Sequence, residues 1–221
     1  MVRLNAPLPG KPAKATYGTI SRLGVFGGTF DPPHIGHLIL ADEARSQLAL
    51  DHILWVLTPN PPHKGDHSIS PLEVRTSLLQ AAIQDQPYFS LSTVDIDRPP
   101  PHYAVDTIRL IKSQFPEASI FYLIGGDSLR DLPKWHAPRE LLDLCPTLGV
   151  MRRPDDQVDI LTLESLLPGI STRIQWINAP LLEISATSIR AKLKSGQSFQ
   201  YYLHPAVYRL ICDKHWYQGE A

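Results

Sequence analysis

Arg22-Leu-Gly-Val-Phe-Gly-Gly-Thr-Phe-Asp-Pro-Pro-His-Ile-Gly-His-Leu38 runs an apolar segment into paired glycines, and the glycines into two histidines three residues apart. The apolar part, Arg22–Phe26, suits a buried strand that ends in a tight turn. Gly27 and Gly28 permit positive φ and let backbone N–H groups approach a ligand, while Thr29 adds a hydroxyl. Asp31-Pro32-Pro33 predicts extended chain before Ile35, Leu38, Ile39, Ala41 and Ala44 take up helical spacing. His34 and His37 therefore fall on the first turn of a helix. There the free N–H groups and the macrodipole attract phosphate and disfavour an imidazolium. Side chains three apart project from nearly one face, so two neutral rings can grip one phosphate group together. The plainer alternative is one helix cap and one surface histidine, and it accounts less well for a pair seated on a glycine turn.

Outward from this stretch, strand and helix patterns alternate. Ile53–Leu57 reads as a strand, followed by a loop holding Pro59, Pro61, Pro62, His63, Lys64 and Gly65. Pro71–Ile83 is helical, Phe89–Val94 a strand, Tyr103–Phe115 a helix, and Ala118–Ile124 a strand ending at Gly125-Gly126-Asp127. Pro138–Leu144, Thr187–Leu193 and His204–His215 read as helices, with strands at Thr147–Met151 and Arg173–Ile177; the segment 154–169 has no clear assignment. Such alternation predicts an α/β fold, an open parallel sheet with helices on both faces. Ligands in these sheets lie beyond the carboxyl ends of the strands, near the point where strand order reverses. The glycine turn, Lys64 and Asp127 all follow strands.

Composition narrows the partners. The chain has 221 residues, enough for one sizeable core, so a single domain is expected from residue 21 to 221 behind a loose tail at 1–20. Basic and acidic residues number 21 and 22, which gives no overall field suited to nucleic acid or a membrane surface. No apolar run approaches the roughly 20 residues of a membrane span. Cys145 and Cys212 lack the spacing of a disulfide framework or zinc site, and a reducing cytoplasm fits them. His63, Asp66 and His67 invite a metal reading, but a proline-rich loop does not supply the helical i, i+4 geometry. The chain contains neither G-x-x-x-x-G-K-[ST] nor G-x-G-x-x-G, so neither a P-loop nor a dinucleotide-cofactor fingerprint is indicated.

Late in the chain, Ile184-Ser-Ala-Thr-Ser-Ile-Arg190 opens a helix with hydroxyls and an arginine. Ser185 is a good N-cap, and a guanidinium one turn in can neutralise phosphate bidentately. Taken with Gly27–His37, Pro61-Pro-His-Lys64 and Ile124-Gly-Gly-Asp127 plus Trp135, this motif resembles the H-x-G-H nucleotidyltransferases. Within that superfamily it is most similar to the bacterial nicotinate-nucleotide adenylyltransferases, over about Leu23 to Tyr217.

The resemblance implies a Rossmann-like nucleotidyltransferase fold. It also implies attack by the 5′-phosphate of nicotinate mononucleotide on the α-phosphorus of ATP, in NAD biosynthesis, with Mg²⁺ carried on the phosphates. Catalytic roles fall to His34, His37 and Arg190, and ATP binding to these with Gly27, Gly28, Thr29, Phe30, Gly36, Gly125, Asp127, Ser185 and Thr187. Lys64, Tyr103, Ala104, Thr107, Trp135 and His136 are expected around the acceptor. Asp127 could instead be a helix N-cap, and Trp135 could be core. Members usually read S-Y-T where this chain has His102-Tyr103-Ala104, and an aromatic ring where it has His136, which could meet a carboxylate or cap the helix at Pro138. Nicotinamide mononucleotide, another phosphorylated acceptor, or a non-catalytic nucleotide sensor stay open as alternatives, as does a homo-oligomer.

Overall fold

The computed structural model describes residues 20–60, 69–151, 158–180 and 182–218. The tail at 1–19, Lys64 with the rest of 61–68, and the start of the unassigned segment lie outside them. The described strands are β1 (Arg22–Gly28), β2 (His52–Leu57), β3 (Phe89–Ser92), β4 (Ser119–Gly125), β5 (Thr147–Met151) and β6 (Ile174–Ile177). All pair in parallel in the order β3-β2-β1-β4-β5-β6. Helices α1 (Ile35–Gln47), α2 (Leu72–Ile83), α3 (Ala104–Gln114), α4 (Gly126–Asp131), α5 (Pro138–Leu144), α6 (Ile160–Leu166), α7 (Ala186–Lys194) and α8 (Pro205–Lys214) cover both faces.

Period-two alternation along the strands divides the interior into two cores. Ile53, Trp55 and Leu57 of β2, with Phe121 and Leu123 of β4, face α1, α2, α7 and α8. Leu54 and Val56, with Ile120, Tyr122 and Ile124, face α3, α4, α5 and α6. The central strands are buried on both sides, which explains their continuous apolar runs and the need for helical cover on each face. From β1 the chain winds outward to β2 and β3, then returns to β4 beside β1 and winds the other way. The switch point thus lies between the ends of β1 and β4, at Gly28 and Gly125.

Two local details differ from the sequence reading. Gly27 and Gly28 are still in the strand and lack positive φ; the turn's left-handed residue is Phe30, at φ 48. The unassigned segment holds α6, whose N-cap Asp159 accepts from the N–H groups of Leu161 and Thr162 at 3.0 and 3.1 Å. That hydrogen bonding holds its carboxyl below the usual range.

Candidate active site

A cavity of about 1170 Å³ opens over the switch point. Gly27, Gly28, Thr29, Phe30, His34, Gly36 and His37 form one side of it, with Gly125, Asp127 and Ser185 beyond. Rings crowd the space beside two of these glycines. A Cβ on Gly28 would lie 2.8 Å from the Phe30 ring, and one on Gly36 would lie 3.1 Å from His34 Nδ1. Phe30 is buried against Phe26 and Trp55, and its ring meets His37 in a T-shaped contact at 5.1 Å. A hydrophobic cluster therefore sets the position of a polar ring.

His34 is the N-cap of α1 and His37 stands on its first turn, with the two rings stacked at 3.7 Å. The backbone N–H of His34 donates to His37 Nδ1 at 3.1 Å. A nitrogen that accepts carries no proton, so His37 is a neutral ring with its N–H on Nε2. The cap uses Nδ1 of the ring.

Beneath this turn lies a residue that the sequence pattern did not single out. Arg75 of α2 is 2% exposed and donates to four carbonyls: Ser70 at 2.9 Å, Thr29 at 3.2 Å, Thr58 at 2.9 Å and Pro59 at 2.8 Å. One guanidinium thus joins the β1 turn to the end of β2 and the approach to α2. Asp31, also buried, accepts from the Ser70 N–H at 3.2 Å and the Tyr217 hydroxyl at 2.8 Å. Its backbone carbonyl accepts from Arg190 Nη1 at 2.5 Å, and its carboxylate lies 3.8 Å from the same nitrogen.

Ser185 is the N-cap of α7, accepting from Ser188 N–H at 3.1 Å. The helix brings Arg190 to the loop between Gly28 and His34, so the two distant motifs meet through Asp31. Thr187 and Arg190 are not on the cavity wall, whereas Ser185 is.

The opposite wall carries Tyr103, Ala104, Thr107, Trp135 and His136. Tyr103 and His136 stack at 4.2 Å, and Trp135 meets Tyr122 edge-on at 6.3 Å. Stacked aromatic faces suit a planar heterocycle. His136 does not cap α5, because Ala137 holds the N-cap position at φ 47. Asp127 is not a cap either: α4 begins at Gly126 with Gly125 as N-cap, which leaves Asp127 in the first turn facing the cavity.

Under this wall, buried Asp95 accepts from Arg98 Nε at 3.0 Å and Thr107 Oγ1 at 2.8 Å. Arg98 also donates to the carbonyls of Pro101 and Tyr103 at 2.8 and 3.3 Å. The single proton of Thr107 is shared between Asp95 and the Tyr103 carbonyl, so this hydroxyl braces the wall. His102 lines the cavity, and burial lowers its pKa from the ordinary value, with Asp95 opposing and Arg98 adding to the shift. Asp95, Arg130 and Lys134 line the cavity as well, and no motif pointed to them. Arg130 and Lys134 flank Asp131 at 3.9 and 3.2 Å, as two cations at the mouth.

Among the described residues no group of three or more His, Cys, Asp or Glu side chains is placed to hold a metal ion. None of their helices is long and apolar enough to cross a membrane.

The cytidylyltransferase-like family pattern matches residues 25–192. A protein of Thermomicrobium roseum named probable nicotinate-nucleotide adenylyltransferase is 40% identical over 192 residues, covering 87% of this chain and 89% of its own. One of the same name from Bacillus pumilus is 37% identical over 200 residues, 90% of this chain and 100% of its own. Among solved structures, nicotinic acid mononucleotide adenylyltransferase of Plasmodium falciparum, complexed with NaAD, superposes with a TM-score of 0.71 at 18% identity. That match covers 89% of this chain and 97% of the other, and it bears out the doubly wound nucleotidyltransferase fold. The chain thus belongs to the cytidylyltransferase-like family, and within it to the nicotinate-nucleotide adenylyltransferases.

Proposed function

We propose that the chain transfers the adenylyl group of ATP to nicotinate mononucleotide, releasing pyrophosphate and nicotinate adenine dinucleotide. An oxygen of the acceptor's 5′-phosphate forms the new bond to the α-phosphorus while the bond to the bridging oxygen of the leaving pyrophosphate breaks. Such a transfer needs alignment and charge neutralisation more than proton transfer. The observation that carries the reading is the His34 N–H to His37 Nδ1 bond, which fixes the His37 ring on the wall of the switch-point cavity with its proton on Nε2. His37 donates to the transferring phosphate, His34 beside it steadies the triphosphate, and Ser185 meets the leaving phosphates from the wall, with Thr187 and Arg190 of α7 completing that end from off the wall. Gly27, Gly28 and the first turn of α4 with Asp127 line the adenylate, and the rings at Tyr103, Trp135 and His136 hold the pyridine nucleotide.

Magnesium would arrive on the triphosphate oxygens and water, where it neutralises charge that develops on the leaving group. Mg²⁺ usually keeps several waters and binds through substrate phosphates. Cys145 and Cys212 are both free, and ATP is the donor, which supports a cytoplasmic setting.

The test is pyrophosphate release with ATP, Mg²⁺ and either nicotinate or nicotinamide mononucleotide. Turnover with the acid form, and loss of at least about 100-fold on His37→Ala with the fold intact, is expected from removing an electrostatic donor. No release with either acceptor, or near-parental turnover in the variant, refutes the assignment.

A further inference from the structure

The chain's last described residues reach the phosphate side of the site. After α8 the backbone turns through His215 at φ 53 and Tyr217 at φ 64, and places the Tyr217 hydroxyl 2.8 Å from Asp31 Oδ1. Asp31 lies three residues before His34 and is 4% exposed, so both of its carboxylate oxygens have protein partners instead of water. One takes the tyrosine hydroxyl, and the other takes the Ser70 N–H and faces Arg190. Arg190 in turn donates to the Asp31 backbone carbonyl. Arg75 lies behind, tied to the Thr29 and Ser70 carbonyls on either side.

We propose that Tyr217 is a positioning residue for adenylyl transfer: its hydroxyl fixes Asp31, and Asp31 fixes both the loop that leads into His34 and the guanidinium of Arg190. The inference rests on the reading of Arg190 as a ligand of the leaving phosphates. It adds the C-terminal segment to the site, although Tyr217 does not line the cavity.

The geometry supports a directional role. Burial, then the neighbouring Asp31 carboxylate, pushes the Tyr217 phenol above its ordinary value, so it stays protonated and donates throughout the working range. Without that donor, a buried carboxylate oxygen is left unsatisfied and the side chain turns toward its remaining partners, Ser70 and Arg190. Arg190 then shifts relative to the turn bearing His34. A misplacement of this kind lowers the rate of the chemical step without altering how the acceptor's pyridine end is held, since Tyr103, Trp135 and His136 lie on the other wall.

The experiment compares the full-length parent, Tyr217→Phe, Arg190→Ala and the double variant, each assayed well below its own unfolding midpoint. Tyr217→Phe should lower kcat roughly tenfold, about what losing one hydrogen bond to a charged group costs, with KM for the acceptor unchanged. In the Arg190→Ala background the same change should have little further effect, because the hydroxyl acts through the arginine. Parental kcat in Tyr217→Phe overturns the proposal, and so does a loss that multiplies in full with that of Arg190→Ala. Parental kcat in Arg190→Ala removes the phosphate role of that residue and, with it, this route for Tyr217; an impaired Tyr217→Phe beside it marks that outcome as a failure of the arginine assignment. Tyr217→His, which keeps a donor, should recover part of the kcat lost in Tyr217→Phe, and equal losses in both variants also overturn the proposal.

Discussion

Gly28→Ala adds one methyl group at the point where the apolar core supports the histidines. Gly28 lies in β1 without positive φ, so alanine suits the backbone and relieves about 0.5–1 kcal/mol of unfolded-state entropy. Space decides the sign. The new Cβ would stand 2.8, 3.0 and 3.1 Å from three atoms of the Phe30 ring, where carbon atoms prefer about 3.5–4.0 Å. Phe30 must retreat by roughly half an ångström, and Phe26 and Trp55, both buried, block it on the core side. The displacement passes to His37, whose ring meets Phe30 at 5.1 Å and faces the cavity.

Overpacking of this kind costs about 1–3 kcal/mol, and a half-ångström error at a positioned donor should cost roughly tenfold in turnover, given about 100-fold for a full ångström. Urea denaturation and pyrophosphate release measure the two effects. Gly169→Ala is the control: its φ is 85 and a Cβ there meets nothing within 4 Å, so it should lose about 1–2 kcal/mol from left-handed strain and no activity. If Gly28→Ala has parental turnover, or if Gly169→Ala loses as much activity, Phe30 does not set the position of His37.

Arg75→Lys keeps the charge and loses the fork that serves four carbonyls; with an ammonium unable to span them, denaturation should show a loss of about 2–4 kcal/mol, and a loss below about 0.5 kcal/mol would contradict the clamp. His52 is 2% exposed with Nε2 at 2.9 Å from Ser90 Oγ, and burial lowers its pKa to about 4 from 6.5. Its folded form resists protonation while the unfolded chain takes up the proton, so stability is full above pH 6.5 and falls as the pH drops toward 4. At about 1.4 kcal/mol per pH unit the loss approaches 3 kcal/mol. His52→Gln should flatten that part of the stability-against-pH curve, and an unchanged slope between pH 6.5 and 4 would remove His52 as its cause.

Local patterns in the chain reach as far as the fold and the cavity wall, and no further. Alternating strand and helix signals imply a doubly wound sheet, and motifs at strand ends must then converge at its carboxyl edge, as Gly27–His37, Gly125–Asp127 and Ser185 do. Arg75 escapes such reading because a lone arginine between apolar helix positions normally reaches solvent, and only the fold brings the β1 turn, the end of β2 and the approach to α2 together to supply its four carbonyls. Asp31 and Tyr217 are 186 residues apart, and nothing in either neighbourhood foretells their pairing. Phe30 carries the turn's positive φ in place of a glycine because its ring gains more from Phe26 and Trp55 than the backbone conformation costs. The start of α6 was concealed by a polar stretch, although Asp159 followed by Thr162 is an ordinary capping pair.

These differences have a functional pattern. The phosphate side is held by backbone carbonyls, buried charges and a packed ring, so almost any change there disturbs several partners together. The acceptor wall ends in an exposed ring, His136, stacked on a half-buried one, Tyr103, and its bracing by Asp95, Arg98 and Thr107 acts largely through main-chain groups below. Substitution on that wall changes the surface offered to the pyridine ring and leaves the bracing in place. His102, Ala104 and His136, which the sequence resemblance marks as departures from its pattern, all lie on this wall. On the proposed assignment of the site, the network that holds His37 and Arg190 resists change, while the wall proposed to meet the pyridine ring tolerates it. Exchanging His102 and Ala104 for Ser and Thr should accordingly alter the acid-to-amide preference without altering the dependence on His37.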